Sequence, residues 1–211
     1  FLFERYPFRG QLVHLGPAWA AMMEHHDYPP QVRDSLGEAV VAAALLSSTL
    51  KYEGLLSLQL RGEGPMHLML VECTDGLAMR AVARFRDVPD SRDLRVLSGN
   101  GTLTVTVESG NAANRYQGIV PLAGASMSEC LRAYFEHSEQ LPTRLWLRAD
   151  ADSASGLLLQ RLPVTARPQG VTESGAGGVT DEEIEDAWRR VQLVADTVTA
   201  DELARLEDRD L

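Results

Sequence analysis

Apolar residues recur every third or fourth position from residue 31 onward, the spacing that places side chains on one face of an α-helix. Val32, Leu36 and Val40 carry this stripe, and polar residues fill most of the positions between them. From residue 39 to residue 46 every residue is apolar. A helix that is apolar all round has to be buried on most sides. The pattern therefore predicts a long helix over residues 31–50 at the centre of the fold.

The apolar period then shortens to two, which is typical of β-strands with one solvated face. Leu56, Leu58 and Leu60 alternate with polar residues, and apolar segments follow at 67–73 and 78–85. Turn sequences separate the three segments, and Asp-Gly at 75–76 is a strong hairpin signal. We predict an antiparallel meander of three strands here. The remaining predicted strands lie at 102–108, 115–122, 143–148 and 157–162, with a polar loop over 150–156 before the last.

Shorter helices are predicted on either side of these strands. Residues 1–15 indicate an extended segment interrupted at Arg9-Gly10, and Gly16-Pro17 opens a helix that ends near residues 25–27. Ser126 and Glu129 have the spacing of a helix-capping box. Helices and strands in this arrangement, joined by tight turns, predict an α+β fold with largely antiparallel sheets packed against helices.

A change in composition divides the chain at residue 164. Residues 164–179 are rich in glycine and contain almost no large apolar side chain, which is linker composition. We therefore predict a body over 1–163, a flexible linker over 164–179 and an acidic helical arm over 180–211, called the arm below.

The arm has one apolar face. It carries Ile184, Trp188, Val191 and Ala195, after a capping box at residues 180 and 183, and Leu203 and Leu206 follow in a second helical turn. An isolated helix of about fifteen residues is marginal in water, so we predict that this face docks on the body. The hypothesis is that docking covers an apolar sheet face, and that release uncovers both surfaces for unfolded clients. The alternative is a helix that belongs permanently to the core.

Charge narrows the range of partners. The net charge is -10, and the arm alone carries eleven acidic residues and four arginines. With no basic face in the sequence, we predict that the protein binds no nucleic acid. The longest apolar run is far shorter than the ~20 residues that span a bilayer, so no membrane association is predicted either. Two isolated cysteines give no sign of an oxidising compartment, which favours the cytoplasm.

Three residue groups have catalytic or metal-binding character, and each has a simpler structural explanation. Ser48 and Lys51 match the Ser-x-x-Lys spacing of serine-acylating enzymes, but they also suit a helix end. His25-His26-Asp27 has no third ligand at metal-binding spacing. Cys73 and Cys130 are expected to be reduced, buried thiols. We predict no catalytic residue, no metal and no cofactor in this chain.

Several short strings, in this order and spacing, resemble the 33-kDa heat-shock chaperonin family along essentially the whole chain. They are His26-Asp27-Tyr28-Pro29, the helix from Leu36-Gly37-Glu38 to Leu50-Lys51, residues 58–65, residues 79–84, Gly99-Asn100-Gly101, residues 115–120 and residues 138–144.

The resemblance implies an ATP-independent holdase chaperone that binds unfolding or oxidatively damaged proteins under oxidative and heat stress, and it implies a homodimer. In that family a C-terminal module binds zinc through four cysteines, and oxidation of those cysteines releases the zinc and unfolds the module with its linker. This sequence has none of those four cysteines, so zinc binding and redox sensing are not expected of it alone.

Two other functions stay open at this stage. One is a structural dimerisation module that associates with itself and has no affinity for unfolded proteins. The other is a serine hydrolase that uses Ser48 and Lys51.

Overall fold

The structure, a computed structural model, describes residues 1–50, 52–110, 114–136, 140–163 and 179–205. The strands are β1 (Phe8–His14), β2 (Gly54–Arg61), β3 (Met66–Thr74), β4 (Met79–Phe85), β5 (Thr102–Ser109), β6 (Asn114–Pro121), β7 (Thr143–Ala149) and β8 (Ala154–Arg161). The helices are α1 (Gly16–Met23), α2 (Pro30–Thr49), α3 (Leu94–Ser98), α4 (Met127–Tyr134), α5 (Asp181–Ala195) and α6 (Ala200–Leu203).

The strands form two antiparallel sheets, which confirms the predicted α+β class. One sheet has three strands in the order β1-β8-β7, and the other has five in the order β4-β3-β2-β5-β6. The predicted meander is β2, β3 and β4, and its last hairpin closes where Thr74 N donates to Ala78 O at 2.9 Å. The β1–β8 pairing instead joins residues about 150 positions apart.

Helix α2 lies in the core that joins the two sheets. It contacts β3 and β2 of the larger sheet and β7 and β8 of the smaller one. Every residue from Ala39 to Ser47 is buried, as the all-apolar stretch predicts. The close approach of the smaller sheet depends on Gly37, where an added Cβ would lie 2.3 Å from the Cβ of Ala149.

The structure differs from the sequence prediction in three places. Arg9-Gly10 does not interrupt β1, because both residues pair with β8. The Phe1 ring fills the space where a side chain at Gly10 would stand. Strand β8 begins at Ala154, inside the predicted polar loop. Helix α3 was not predicted, and it is a single short segment whose start is capped by the Asp93 side chain.

Helices α5 and α6 pack against the three-stranded sheet and form a second, smaller apolar cluster with it. The predicted linker over 164–179 lies, apart from Val179, outside the described residues. Among the helices that the structure describes, none combines the length and apolarity needed to cross a membrane.

Candidate functional site

Strand β8 is buried on both faces because it lies between two apolar clusters. Leu158 faces the main core with α2, whereas Leu157 and Leu159 belong to the cluster on the opposite face. Side chains alternate across a strand, so three consecutive leucines supply both faces at once. Phe8 of β1 joins Leu157 and Leu159. The smaller sheet therefore presents an apolar outer face, and the arm covers it.

Both helices of the arm begin with a complete capping box. The Thr180 side chain accepts a hydrogen bond from Glu183 N at 3.2 Å, and the Glu183 carboxylate accepts one from Thr180 N at 2.8 Å. Thr199 and Glu202 repeat the arrangement at α6. These hydrogen bonds lower the pKa of both glutamates. The caps fix where each helix starts and so set which residues face the sheet.

The structure places most of the predicted arm residues against the sheet. Ile184, Trp188 and Leu203 are 1%, 6% and 3% exposed, and the Trp188 ring lies 5.1 Å from the Phe8 ring, centroid to centroid. Val191 is partly buried against the same cluster, and Leu206 lies outside the described residues.

Ala195, on the predicted helical face, is buried there as well. Sequence reasoning missed Ala187, which is also buried. Ala187 lies three residues after Ile184 and four before Val191, so helical spacing alone would have found it.

Polar contacts surround the apolar docking area, and none of them was predicted. Trp146 Nε1 donates to Asp196 Oδ1 at 3.1 Å, and the Arg161 guanidinium pairs with the Glu185 carboxylate. Arg148 Nη2 lies 3.8 Å from Asp201 Oδ1. Acidic side chains of the arm thus meet arginines of β7 and β8 at the rim. Such rim pairs are exposed and each contributes little, so the apolar contacts dominate docking.

A second group of charged residues lies at the other side of α2. Asp34 is buried and pairs with Arg33 at 2.7 Å and with Arg92 at 2.8 Å. Glu38 follows one helical turn later, and burial first, and then the charge of Asp34, raise the pKa of Glu38 to about 7. The nearby backbone of Met127 at the start of α4 acts in the opposite direction, because it favours the ionised form of Glu38 and so lowers its pKa. This group ties α2 to α4 and to the segment before α3.

The other candidate groups show structural roles. Ser48 Oγ lies 2.7 Å from Gln11 Oε1 and 2.9 Å from Leu45 O, the two acceptors for its one proton. Lys51 lies outside the described residues. The His26 ring stacks on Tyr28 at 5.0 Å. Cys73 and Cys130 are free and buried in different elements, and burial raises the pKa of both thiols.

The resemblance to the chaperonin family implies a zinc site, and the described residues do not form one. Within the described ranges no group of three or more His, Cys, Asp or Glu residues is arranged to hold a metal ion. Cys73 on β3 and Cys130 on α4 cannot replace a four-cysteine set. The residues present do not fit a structural zinc ion.

Comparison with known proteins gives a consistent result along the whole chain. The family model described as "Hsp33 protein" matches residues 1–211. The 33 kDa chaperonin of Ectopseudomonas mendocina is 43% identical over all of this chain and 68% of its own length. That of Methylobacillus flagellatus is 39% identical over 98% of this chain and 66% of its own length. The chain thus spans about two thirds of these relatives.

A solved structure shares the fold. The crystal structure of the 33 kDa chaperonin (heat shock protein 33 homolog) from Thermotoga maritima aligns with a TM-score of 0.76 at 19% identity. The alignment covers 99% of this chain and 70% of that one.

Proposed function

This chain belongs to the Hsp33 family of chaperones, and on that premise we propose that it is an ATP-independent holdase for unfolded or oxidatively damaged proteins. The observation that carries the proposal is the pair of apolar surfaces that the arm and the three-stranded sheet bury against each other. Phe8, Leu157 and Leu159 on the sheet face Ile184 and Trp188 on the arm. Release of the arm exposes both surfaces to an unfolded polypeptide.

The energetics of docking suit a releasable cover. Helix α5 has only 15 residues, so packing against the sheet contributes much of its helical stability. Its exposed side keeps Leu193 and Val194 in solvent, so docking uses one face of the helix. Burying a large apolar side chain contributes about 1.5–3 kcal/mol, and the few such residues at this interface have to offset the entropy of ordering the arm. A modest perturbation is then enough to release it.

The remaining parts of the proposal are what the resemblance to the family and the composition of the chain imply. We infer a homodimer, a cytoplasmic location, no enzymatic activity and no contact with nucleic acid or membrane. In a longer chain that carries the zinc module, oxidation would loosen the arm through loss of that module. The chain alone would bind clients without a redox response, because its two cysteines are buried thiols with raised pKa values.

The test is suppression of light scattering by a thermally unfolding protein, with and without ATP and under reducing and oxidising conditions. Trp188→Asp puts a charge into the docking area, whereas Leu193→Asp puts the same charge on the exposed side of the same helix, where Leu193 is 60% exposed. We expect Trp188→Asp to suppress aggregation at a lower molar ratio than the wild type, and Leu193→Asp to match the wild type. ATP and redox conditions should change neither result.

Different outcomes point to the other functions. Self-association by sedimentation, with no suppression by any variant, would favour the dimerisation module and contradict the holdase. Ester hydrolysis that disappears in Ser48→Ala would instead favour the serine hydrolase.

A further inference from the structure

Each sheet edge presents backbone N–H and C=O groups that can pair with another extended chain unless something covers them. The edge of β1 is covered by the N-terminal residues of the same chain. Gly10 N donates to Phe1 O at 3.0 Å, and Phe3 N donates to Phe8 O at 3.0 Å. This edge is already occupied.

Two further edges carry features that discourage pairing. On β4, Ala83 N donates to the Tyr28 hydroxyl at 3.2 Å, and Arg80 and Arg84 are exposed. On β7, Arg144 and Arg148 flank the strand, which packs beside α4. Charged side chains on an edge strand oppose association with another strand.

The edge of β6 is the least protected of the four, because it carries one charged residue and no described residue outside its own ladder bonds to the backbone of residues 115–120. Its ladder with β5 is unbroken from Thr102–Pro121 to Ser109–Asn114, so no β-bulge interrupts this pairing. Apart from that ladder, the backbone of residues 115–120 makes no hydrogen bond within the part of the chain that the structure describes. Its one charged side chain, Arg115, lies 3.4 Å from Glu108 on β5.

The side chains of β6 add apolar surface to this open edge. Ile119 is 61% exposed and Tyr116 is 46% exposed, and they point to opposite faces of the sheet. Gly118 between them is buried, because the Tyr134 ring of α4 takes the space where its side chain would be. A strand laid along β6 could therefore bond to the backbone and also place an apolar side chain beside Ile119.

We propose that the free edge of β6 pairs with an extended segment of an unfolded client, which adds to the five-stranded sheet as a sixth strand. The inference rests on the proposed holdase function and names a second place where the client binds. Main-chain hydrogen bonds recognise any extended polypeptide, so the edge tolerates diverse client sequences. Client segments with an apolar residue opposite Ile119 should be preferred.

A second copy of the same chain fits this edge less well. Two β6 strands can pair antiparallel about a two-fold axis that passes through one residue. An axis at Gln117 sets Ile119 opposite the second copy's Arg115, and an axis at Gly118 sets Ile119 opposite the second copy's Gln117. An axis at Ile119 joins the two isoleucines, but it reduces the paired segment to residues 117–121 and brings in Pro121, which has no N–H to donate. The apolar exposure of β6 is therefore better matched by a client than by itself.

The experiment measures amide hydrogen exchange of the 211-residue chain with and without reduced, carboxymethylated α-lactalbumin, a permanently unfolded protein. We expect added protection in peptides that cover residues 114–121 and no change in peptides that cover β4. Ile119→Lys should weaken binding about tenfold, because it removes the apolar cross-strand pair and adds a charge to the edge. Val96→Lys is the matched control, since Val96 is 49% exposed on α3 and away from any strand edge.

Each outcome distinguishes the two proposals. Client binding without protection of β6, and equal affinity of Ile119→Lys and Val96→Lys, would overturn the β6 inference and leave the holdase standing. No client binding by the wild type would overturn the β6 inference, because this edge is open while the arm is docked. The holdase would fall as well only if Trp188→Asp, with its arm released, also bound no client. Protection of β6 that rises with protein concentration in the absence of client would assign the edge to a second copy and also overturn the inference. The exchange result needs no variant, so misfolding of Ile119→Lys would not hide the answer.

Discussion

Glu38 offers a quantitative test of the charged group on α2. Burial first, and then the charge of Asp34, raise the pKa of its carboxyl group from the ordinary 4.5 to about 7. Glu38→Gln keeps a side chain of nearly the same size and shape, but it cannot ionise. The substitution therefore removes the charge and leaves the packing nearly unchanged.

The direction in which stability changes with pH follows from proton binding. Between the unfolded and folded pKa values the folded state binds more protons, so the stability of the wild type falls as pH rises through this window. Each pKa unit corresponds to about 1.36 kcal/mol, so the cost of ionising Glu38 grows by about 2 kcal/mol between pH 5.5 and pH 8.5. Glu38→Gln does not carry this cost. Its advantage over the wild type should increase by that amount across the same pH range.

Urea unfolding at pH 5.5, 7 and 8.5 measures this difference in the free energy of unfolding directly. In thermal unfolding, the gap in melting temperature between the two proteins should widen by roughly 4–8 °C from pH 5.5 to pH 8.5. Glu63→Gln, which removes a charge from an exposed loop position, is the control. If Glu38→Gln and the wild type keep a constant difference at all three pH values, the carboxyl group is ionised throughout and the reasoning about its burial is wrong.

Three further substitutions test the packing. Trp188→Ala removes the contact with Phe8 and should weaken docking of the arm by about 3 kcal/mol. Amide exchange in α5 should then be roughly 100-fold faster, with exchange in the body unchanged. Exchange in α5 at the same rate as in the wild type would refute docking. Gly37→Ala sets a Cβ against Ala149 and should lower the free energy of unfolding by about 1–2 kcal/mol despite its better helix propensity, whereas a more stable variant would contradict the close packing. Ser48→Ala should leave client binding intact, and its loss would contradict a structural role.

Local pattern was sufficient for most elements of the fold. The central helix, the meander and the arm's apolar face are set by side-chain period and by capping residues, which depend on neighbours in sequence. Helix α3 was missed because it is one short turn, and its start is stabilised by Asp93 and by the bond from Leu94 N to Ala125 O. A contact with a residue so distant in sequence leaves no periodic signal.

The charged group around Asp34 and the identity of the edge strands could not be predicted from the sequence. Asp34 and Glu38 sit at helical spacing, but only the fold brings Arg92 and the start of α4 next to them. Likewise β6 is predicted as a strand by its pattern, yet its position at the end of the sheet follows from the strand order. The predicted linker and Leu206 lie outside the described residues and stay predictions.

The pairing of β1 with β8 also constrains the order of folding. Arg9 and Gln160 are partners across the ladder although 151 residues separate them, whereas β2, β3 and β4 join through short hairpins. During synthesis β1 therefore cannot pair with β8 until nearly the whole body has been made. Because the two strands are so far apart in sequence, their pairing should be a slow step of folding. The face that receives the arm combines Phe8 with Leu157 and Leu159, so it exists only after that closure. The arm can therefore dock only on a body in which β1 and β8 have paired. In a chain where this pairing has not formed, the arm stays undocked.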